Sequence, residues 1–439
     1  MLHQMERILK AFSGENVDYI TFITSLLVVV GIAFFILYDA EAAKILIGTS
    51  YDNIVNIFGP VYLILTIFSF FFLLYICISR HGNYRLGGQN QKAEFSYFSW
   101  IGMLFCSGIG GGLVYWSGVE WAYYVDIPPF GIEPGSDEAF ALATAYGLFH
   151  WGISAWSIYG IPAIALSIAF YKYKLSTLRL SSSLRGLGIK NVEESLGGRL
   201  IDFIFVIATV GAAGGTIGSY IPMLSSGFSD IFSIEKSFSL DLQVLALCVG
   251  LFGFSVYAGL TKGIKRLSDL NLFLAITFLI IILFIGPGLD ILRSSVEGFV
   301  YTVKYFWDMS TLGILEQSDF ADAWTIFYWA WWVAFGPLVA LFIARISKGR
   351  TLRELILGML IFGSLGTWLF YMILGGYSMS LEQNGIIGVM DSLKELGHAD
   401  TAISIVRTMP FDSMMLLLFC VITIIFVTTS YDSMSFVIA

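Results

Sequence analysis

Charged residues are scarce in this sequence: only 13% of its 439 residues are Asp, Glu, Lys or Arg, whereas 57% are hydrophobic. A water-soluble globular domain of this length carries far more charge, so the composition excludes that class. Runs of about 20 apolar residues recur instead, and each is long enough to cross a bilayer as a helix. The sequence therefore predicts an all-α integral membrane protein without a soluble domain.

Cysteine and histidine are also scarce, with four residues of each type. The cysteines lie in apolar segments at irregular spacing, which favours small buried residues over a disulfide or a metal site. The histidines show no metal-ligand spacing, and we find no combination of histidine, carboxylate and hydroxyl spaced for catalysis. Basic residues form no dense stripe, which argues against nucleic acid as a partner. We therefore expect neither an enzyme nor a cofactor.

Ten apolar segments are predicted to span the membrane. They are residues 17–38, 54–79, 96–124, 140–171, 201–226, 240–260, 268–287, 324–344, 353–376 and 413–437. Most of the 24 lysines and arginines fall in alternate loops, on the same side as the N-terminus. Because loops rich in Lys and Arg stay in the cytoplasm, we expect the N-terminus to lie inside. Residues 288–308 and 386–409 are typical of amphipathic helices on the outside surface of the membrane.

Two runs of aromatic residues lie deep inside apolar segments, although membrane tryptophans usually gather at the two water interfaces. They are residues 149–159 and 327–332. At roughly 100° per residue, a continuous helix would put Trp151, Trp156 and Tyr159 on one face. A quaternary ammonium ion cannot donate a hydrogen bond, but it is attracted to aromatic faces. The two runs therefore predict a membrane carrier for a small quaternary-ammonium solute.

A glycine-rich stretch interrupts the third segment, where Gly108, Gly110, Gly111 and Gly112 surround Ile109. Glycines at this density weaken a helix. One interpretation is close packing of helices through small residues. We favour a broken helix whose open backbone groups bind an ion or a solute near mid-membrane, because freed carbonyls are tolerated there only when buried or lining a cavity.

Three polar residues inside the predicted spans are candidates for function. The hydroxyls of Thr429 and Ser430 either bond to their own helix or, beside unwound carbonyls, act as ligands of a small cation. Glu120 is an acid within a membrane segment, which is energetically costly. We expect Glu120 to face a solvated outer vestibule beside the acidic loop 125–139, and the alternative is that it carries protons.

With these motifs, the sequence resembles the betaine/choline/carnitine transporter family from about residue 15 to its end. The most specific matches are the two aromatic runs and residues 344–351, which follow the second run. The resemblance implies a leucine-transporter-like fold of two inverted five-helix repeats after two extra helices. It divides the single polytopic domain 1–439 into extra helices at 1–80, a first repeat at 96–287 and a second repeat at 324–439.

The resemblance also implies a solute site and an ion site. The solute site comprises Trp151, Trp156, Tyr159 and Trp332, joined by Tyr123 as in the carnitine branch, with Phe335 and Glu120 as weaker candidates for binding or for an outer gate. The ion site for Na⁺ comprises the backbone carbonyls of Cys106 and Ile109 together with Phe426, Thr429 and Ser430. The residues from Glu120 to Tyr124 look closer to the carnitine branch than to the sodium–betaine branch.

The coupling ion is less clearly indicated. Thr429 and Ser430 favour Na⁺, whereas Lys265 argues against it. In sodium-independent carnitine exchangers a basic residue follows the same glycine, so Lys265 could take the place of the cation. Gly211 and Gly215 stand where a second sodium site would have threonines. We favour Na⁺ or H⁺ symport over sodium-independent exchange. A channel would need a continuous polar pore, but the polar groups here cluster at one depth.

The resemblance further implies a homotrimer in the lipid of the bacterial inner membrane, with a quaternary amine as the transported partner. The family has twelve spans, whereas this sequence stops at Ala439 after the tenth predicted span. A repeat without its last two helices would expose polar faces to lipid. We therefore expect this sequence to be a fragment rather than a ten-span carrier.

Overall fold

The computed structural model describes residues 18–106, 110–174, 179–189, 191–258 and 264–438. These residues form helices joined by short turns, and they contain no β-strand beyond one backbone bridge between Arg85 and Thr351. Helices are expected in a bilayer because every backbone amide must find its hydrogen bond within its own segment. The predicted all-α membrane fold is therefore confirmed.

The α-helices of the described residues are α1 (Tyr19–Tyr38), α2 (Ala40–Ile78), α3 (Tyr97–Cys106), α4 (Gly110–Trp116), α5 (Glu120–Asp126), α6 (Asp137–Trp151), α7 (Ile153–Lys172), α8 (Leu196–Phe232), α9 (Phe238–Ala258), α10 (Ile264–Ile285), α11 (Gly288–Lys304), α12 (Phe306–Thr311), α13 (Ile326–Ile346), α14 (Leu352–Leu357), α15 (Ser364–Phe370), α16 (Gly376–Gln383), α17 (Val389–Arg407) and α18 (Asp412–Ile438). The described part of the chain also has three π-helical turns, at Ala321–Thr325, Gly358–Gly363 and Tyr371–Gly375. It has three short 3₁₀ helices as well, at Arg80–Asn83, Leu180–Leu187 and Val192–Glu194.

Ten helical stretches of the described residues can cross a bilayer: eight that are long and apolar enough, plus two bent helix pairs. They follow the ten predicted segments in order. The largest difference is α2, which spans 39 residues and begins at Ala40 rather than at residue 54. Its first turns contain Glu41, Lys44 and Asp52, so the prediction wrongly placed a polar but helical stretch in a loop.

The two bent pairs mark places where the chain changes direction. The helices α3 and α4 meet at 53° on either side of residues 107–109, and α10 and α11 meet at 113° near Pro287. The buried side of α11 is formed by Ile291, Ser295, Gly298 and Thr302. That spacing of three and four residues gives α11 one buried face and one exposed face, as predicted for a surface helix.

The outer layer and the centre of the protein differ in burial. In α1 only Thr21 and Ser25 are buried, so its aliphatic side chains are left to face lipid. In the centre, α7 and α13 pack along each other. The helix α13 carries the second aromatic run and α7 carries most of the first, and their contact places both runs in the interior. The division into inverted repeats at 96–287 and 324–439 stays a prediction.

Candidate functional site

The two aromatic runs meet in one cluster of four buried rings. The ring centre of Trp332 lies 5.0 Å from that of Trp151 and 5.9 Å from that of Tyr159, and Tyr159 lies 5.8 Å from Trp156. Adjacent rings meet nearly edge to face, and each of the four side chains is at most 1% exposed. We call these four residues the aromatic box. The structure thus brings together four of the five residues predicted to hold the solute.

The box is built on a helix break at Gly152, and the expectation of one continuous helix was wrong here. The helix α6 ends at Trp151 and α7 starts at Ile153, and the dihedral angles of Gly152 (φ −102°, ψ −137°) are not helical. A Cβ at Gly152 would lie 2.2 Å from the carbonyl oxygen of Leu148 and 2.3 Å from Nε1 of Trp368. Because the helix breaks, Trp151 is separated from Trp156 and Tyr159, and the Trp332 ring closes the gap.

Side chains from the second half of the protein satisfy the carbonyls around this break. The indole N–H of Trp368 donates to the Leu148 carbonyl at 2.8 Å, and the hydroxyl of Thr367 donates to the Trp151 carbonyl at 2.6 Å. The indole N–H of Trp332 donates to the carbonyl of His150 at 2.9 Å. A helix can therefore be interrupted inside the membrane without leaving these backbone acceptors bare.

The polar groups of the box have different environments. Trp332 donates to a backbone carbonyl, whereas Trp151 donates its indole N–H to Oε2 of Glu120 at 3.0 Å. Within the described part of the protein, the indole nitrogen of Trp156 and the hydroxyl of Tyr159 have no hydrogen-bond partner. Buried polar groups are normally paired, so these two are available to a bound molecule or to water.

Glu120 lies at the centre of the network behind the box. Its side chain is fully buried, and its carboxylate accepts hydrogen bonds from four aromatic side chains. Tyr124 donates to Oε1 at 2.5 Å, and Oε2 accepts from Tyr328 at 2.5 Å and from Tyr371 at 2.6 Å, in addition to Trp151. The expectation that Glu120 faces a solvated vestibule was wrong, because α5 turns this residue inward against α6 and α13.

A second arm of the network leads from Glu120 to the start of α13. The hydroxyl of Tyr124 lies 3.0 Å from Nδ1 of His150, and Nε2 of His150 lies 3.0 Å from Oγ1 of Thr325. Because Tyr124 donates to Glu120, its oxygen accepts from Nδ1–H, and Nε2 is hydrogen-bonded to the hydroxyl of Thr325. With Tyr124 donating to Glu120, the network therefore places a proton on Nδ1 of His150.

Two other predicted solute residues, Tyr123 and Phe335, lie outside the box. The ring of Tyr123 lies 5.2 Å from that of Trp324 and 6.3 Å from that of His398, in a separate aromatic cluster towards α17. Phe335 is buried and lies 6.4 Å from Trp331. Neither ring stacks with the four box residues among the ring contacts of the described residues.

The predicted ion-binding helix packs on the glycine run. A Cβ at Gly110 would lie 2.5 Å from the ring of Phe426, so α18 and α4 are in direct contact. The Thr429 hydroxyl donates to the carbonyls of Ile425 and Phe426 at 2.9 and 3.1 Å, and Ser430 is buried. Gly108 and Ile109 lie outside the described residues, as do the side chains of Cys106 and Lys265. The ion ligands therefore stay a prediction.

The remaining glycines of the run allow close approach of aromatic rings. A Cβ at Gly112 would lie 2.4 Å from Trp151, and one at Gly111 would lie 2.8 Å from Tyr220. Close packing and the 53° bend between α3 and α4 therefore coexist at this run. The two interpretations of the glycine-rich sequence do not exclude each other.

Sequence reasoning missed the residues that support the box: Tyr124, His150, Thr325, Tyr328 and Tyr371. His150 and Tyr328 belong to the two aromatic runs, so their position was a signal. Tyr371 lies in a π-helical turn with no recognisable motif. A π-helical turn interrupts a regular helix and is often found at a functional site. The sequence gives no sign of this turn, so only the folded structure reveals Tyr371.

Comparisons with known proteins agree with the resemblance found in the sequence. The pattern of the BCCT, betaine/carnitine/choline family transporter, matches residues 20–439. The chain is similar to the carnitine transporter of Acinetobacter baumannii, with 31% identity over 95% of this chain and 76% of that protein. It is also similar to the uncharacterized transporter YeaV of Escherichia coli strain K12, with 31% identity over 84% of this chain and 76% of that protein.

Proposed function

Since this chain belongs to the betaine/carnitine/choline transporter family, we propose that it carries a small quaternary-ammonium solute across the bacterial inner membrane by alternating access. The aromatic box of Trp151, Trp156, Tyr159 and Trp332 is the proposed solute site. The name of the Acinetobacter relative supports carnitine among the candidate solutes, alongside betaine and choline.

The observation that carries this proposal is the burial of four aromatic rings around a helix break. Aromatic faces attract a cation that has lost its water, and the contact is worth about 2 kcal/mol in a dry site. A trimethylammonium group loses less on leaving water than a primary ammonium does, because it donates no hydrogen bonds. A primary ammonium would lose hydrogen bonds that aromatic faces do not replace. The box therefore suits quaternary rather than primary amines.

We propose that transport is coupled to Na⁺ or H⁺. The contact between Phe426 and Gly110 supports this, because it packs α18, the helix that carries Thr429 and Ser430, against α4. The backbone carbonyls of Cys106 and Ile109, with Thr429 and Ser430, would hold Na⁺ there through hard oxygen ligands. Sodium-independent exchange is the alternative, with the ammonium of Lys265 in place of the ion. The proposed assembly is a homotrimer with an inside N-terminus.

Counterflow in proteoliposomes tests the proposed function. Vesicles containing the protein are loaded with betaine, choline or carnitine, and uptake of the labelled solute is followed with and without Na⁺. We expect saturable, competable uptake for at least one quaternary solute. Uptake that rises linearly with concentration and shows no competition would contradict a carrier and favour a channel.

A further inference from the structure

Trp151 differs from the other box tryptophans in the hydrogen-bond acceptor of its indole N–H. Trp332 donates to a neutral backbone carbonyl, and Trp156 has no partner among the described residues. Trp151 donates to the carboxylate of Glu120 at 3.0 Å. A hydrogen bond to an ionised acceptor is about twice as strong as one between neutral groups. Trp151 is therefore the box ring that is held most firmly by its polar edge.

The hydrogen-bond pattern suits an ionised Glu120. Its two oxygens accept four hydrogen bonds, and the Trp151 indole can only donate. A protonated carboxyl group would donate through one of its oxygens, and one of the tyrosine hydroxyls would then have to accept from it. Among the described residues, no ion pair includes Glu120. Burying a negative charge without a cationic partner costs free energy. A cationic solute in the box would offset part of that cost.

The position of this charge suits a cationic solute in the box. The carboxylate touches the edge of Trp151, and it also accepts from Tyr328, whose ring stacks on Trp332 at 5.8 Å and 21°. A negative partner at the N–H edge pushes electron density into the indole and makes its face more attractive to a cation. The same charge attracts the cation directly through a medium of low polarity.

We propose that Glu120 is a positioning residue that also supplies charge to the solute site: its carboxylate orients Trp151 and raises the affinity of the aromatic box for a positively charged head group. This inference rests on the proposed function, since it concerns the same site. It assigns to Glu120 a negative charge that acts through the ring of Trp151, and not a contact with the solute. A purely structural role would affect charged and uncharged ligands equally.

The test compares each quaternary solute with its tert-butyl analogue, in which carbon replaces the ammonium nitrogen. Both have the same shape, and only one has the positive charge. Affinities for betaine, choline and their tert-butyl analogues are measured by calorimetry or competition on purified protein. The readout is the ratio of the two affinities. A substitution that only distorts the site weakens both ligands equally and leaves this ratio unchanged. The variant is Glu120→Gln, and the matched control is Glu133→Gln, which removes a carboxylate from an exposed loop position.

We expect Glu120→Gln to lower the ratio about tenfold while the tert-butyl analogue still binds, and we expect Glu133→Gln to leave it unchanged. A ratio unchanged in Glu120→Gln, or an equal loss for both ligands, overturns the inference and leaves a structural role. If the Gln variant does not fold, Glu120→Asp is measured in its place. It keeps the negative charge, so we expect it to keep the ratio. A lower ratio in Glu120→Asp also overturns the inference. Wild-type protein that binds no quaternary solute contradicts the proposed function itself.

Discussion

The indole N–H of Trp332 donates to the backbone carbonyl of His150 at 2.9 Å. This hydrogen bond joins α13 to the last turn of α6, next to the helix break at Gly152. It orients the central ring of the aromatic box and satisfies a carbonyl beside the break. The aromatic site and the interrupted helix are therefore one structural unit. A substitution that displaces one should also displace the other.

The glycine run provides a first prediction. A Cβ at Gly112 would lie 2.4 Å from the Trp151 ring, so Gly112→Ala must push this ring out of place. We expect about tenfold weaker binding of a quaternary solute and a loss of about 1–3 kcal/mol in stability from overpacking. Gly250→Ala is the matched control, because a Cβ at this position of α9 would meet nothing within 4 Å. Equal affinity of both variants for the quaternary solute would show that binding does not depend on the position of the Trp151 ring.

Selectivity among amines gives a second prediction. If aromatic faces bind the solute, the trimethylated form of glycine should compete far better than glycine itself. The primary ammonium group keeps its hydration unless hydrogen-bond acceptors replace it. The measurement is inhibition of labelled solute uptake by each compound at matched concentrations. Equal inhibition by glycine and its trimethylated form would reject the box as a cation–π site.

The third prediction concerns coupling and uses a sodium titration of uptake. For symport, we expect wild-type uptake to need Na⁺, and Thr429→Ala to raise the Na⁺ concentration for half-maximal uptake. If the Lys265 ammonium fills the cation site instead, it repels Na⁺ at short range. Uptake is then sodium-independent, and Lys265→Gln makes it sodium-dependent. Sodium-independent uptake that neither substitution changes would defeat both mechanisms and point to protons or solute exchange.

A fourth prediction concerns pH and the outer helix α17, which lies outside the candidate spans. The ring of His398 stacks on Tyr115 at 3.9 Å, and its Nε2 donates to the Tyr115 carbonyl at 2.7 Å. Burial lowers the pKa of His398 to about 4. The unfolded chain, with a pKa of about 6.5, binds a proton first as pH falls. The stability contributed by neutral His398 is therefore complete above about pH 6.5 and is lost between there and about pH 4.

Thermal unfolding in detergent at about pH 7 and about pH 5 measures this effect. We expect the melting temperature of wild type to fall more than that of His398→Phe, which keeps an aromatic ring on Tyr115 but cannot be protonated. All other titratable groups are common to the two proteins, so the difference isolates His398. Identical decreases in both proteins would mean that His398 does not titrate in this range.

The sequence was sufficient for features that depend on local pattern. Apolar length predicted the ten spans, and glycine density at residues 108–112 predicted a bend that the structure places between α3 and α4. The aromatic runs predicted which side chains would gather. These features are encoded in consecutive residues, where hydrophobic length and backbone propensity decide the outcome.

Features that depend on contacts between distant segments could not be predicted. The helix break at Gly152 is stabilised by Thr367 and Trp368, more than two hundred residues away along the chain. The burial of Glu120 depends on Tyr328 and Tyr371, which are equally distant in sequence. A single glycine or glutamate carries no local sign of such partners. For Glu120, the nearby acidic loop suggested a solvated environment, whereas tertiary packing determines a buried one.

The central claim is that the aromatic box binds the quaternary ammonium group, and equilibrium binding to Trp332 variants tests it most directly. A buried cation–π contact of about 2 kcal/mol corresponds to about thirtyfold in affinity. We predict that Trp332→Leu weakens binding of the transported quaternary solute by about this factor, that Trp332→Phe is milder, and that Trp307→Leu, at an exposed position of α12, has no effect. Equal affinity of wild type and Trp332→Leu would contradict the account.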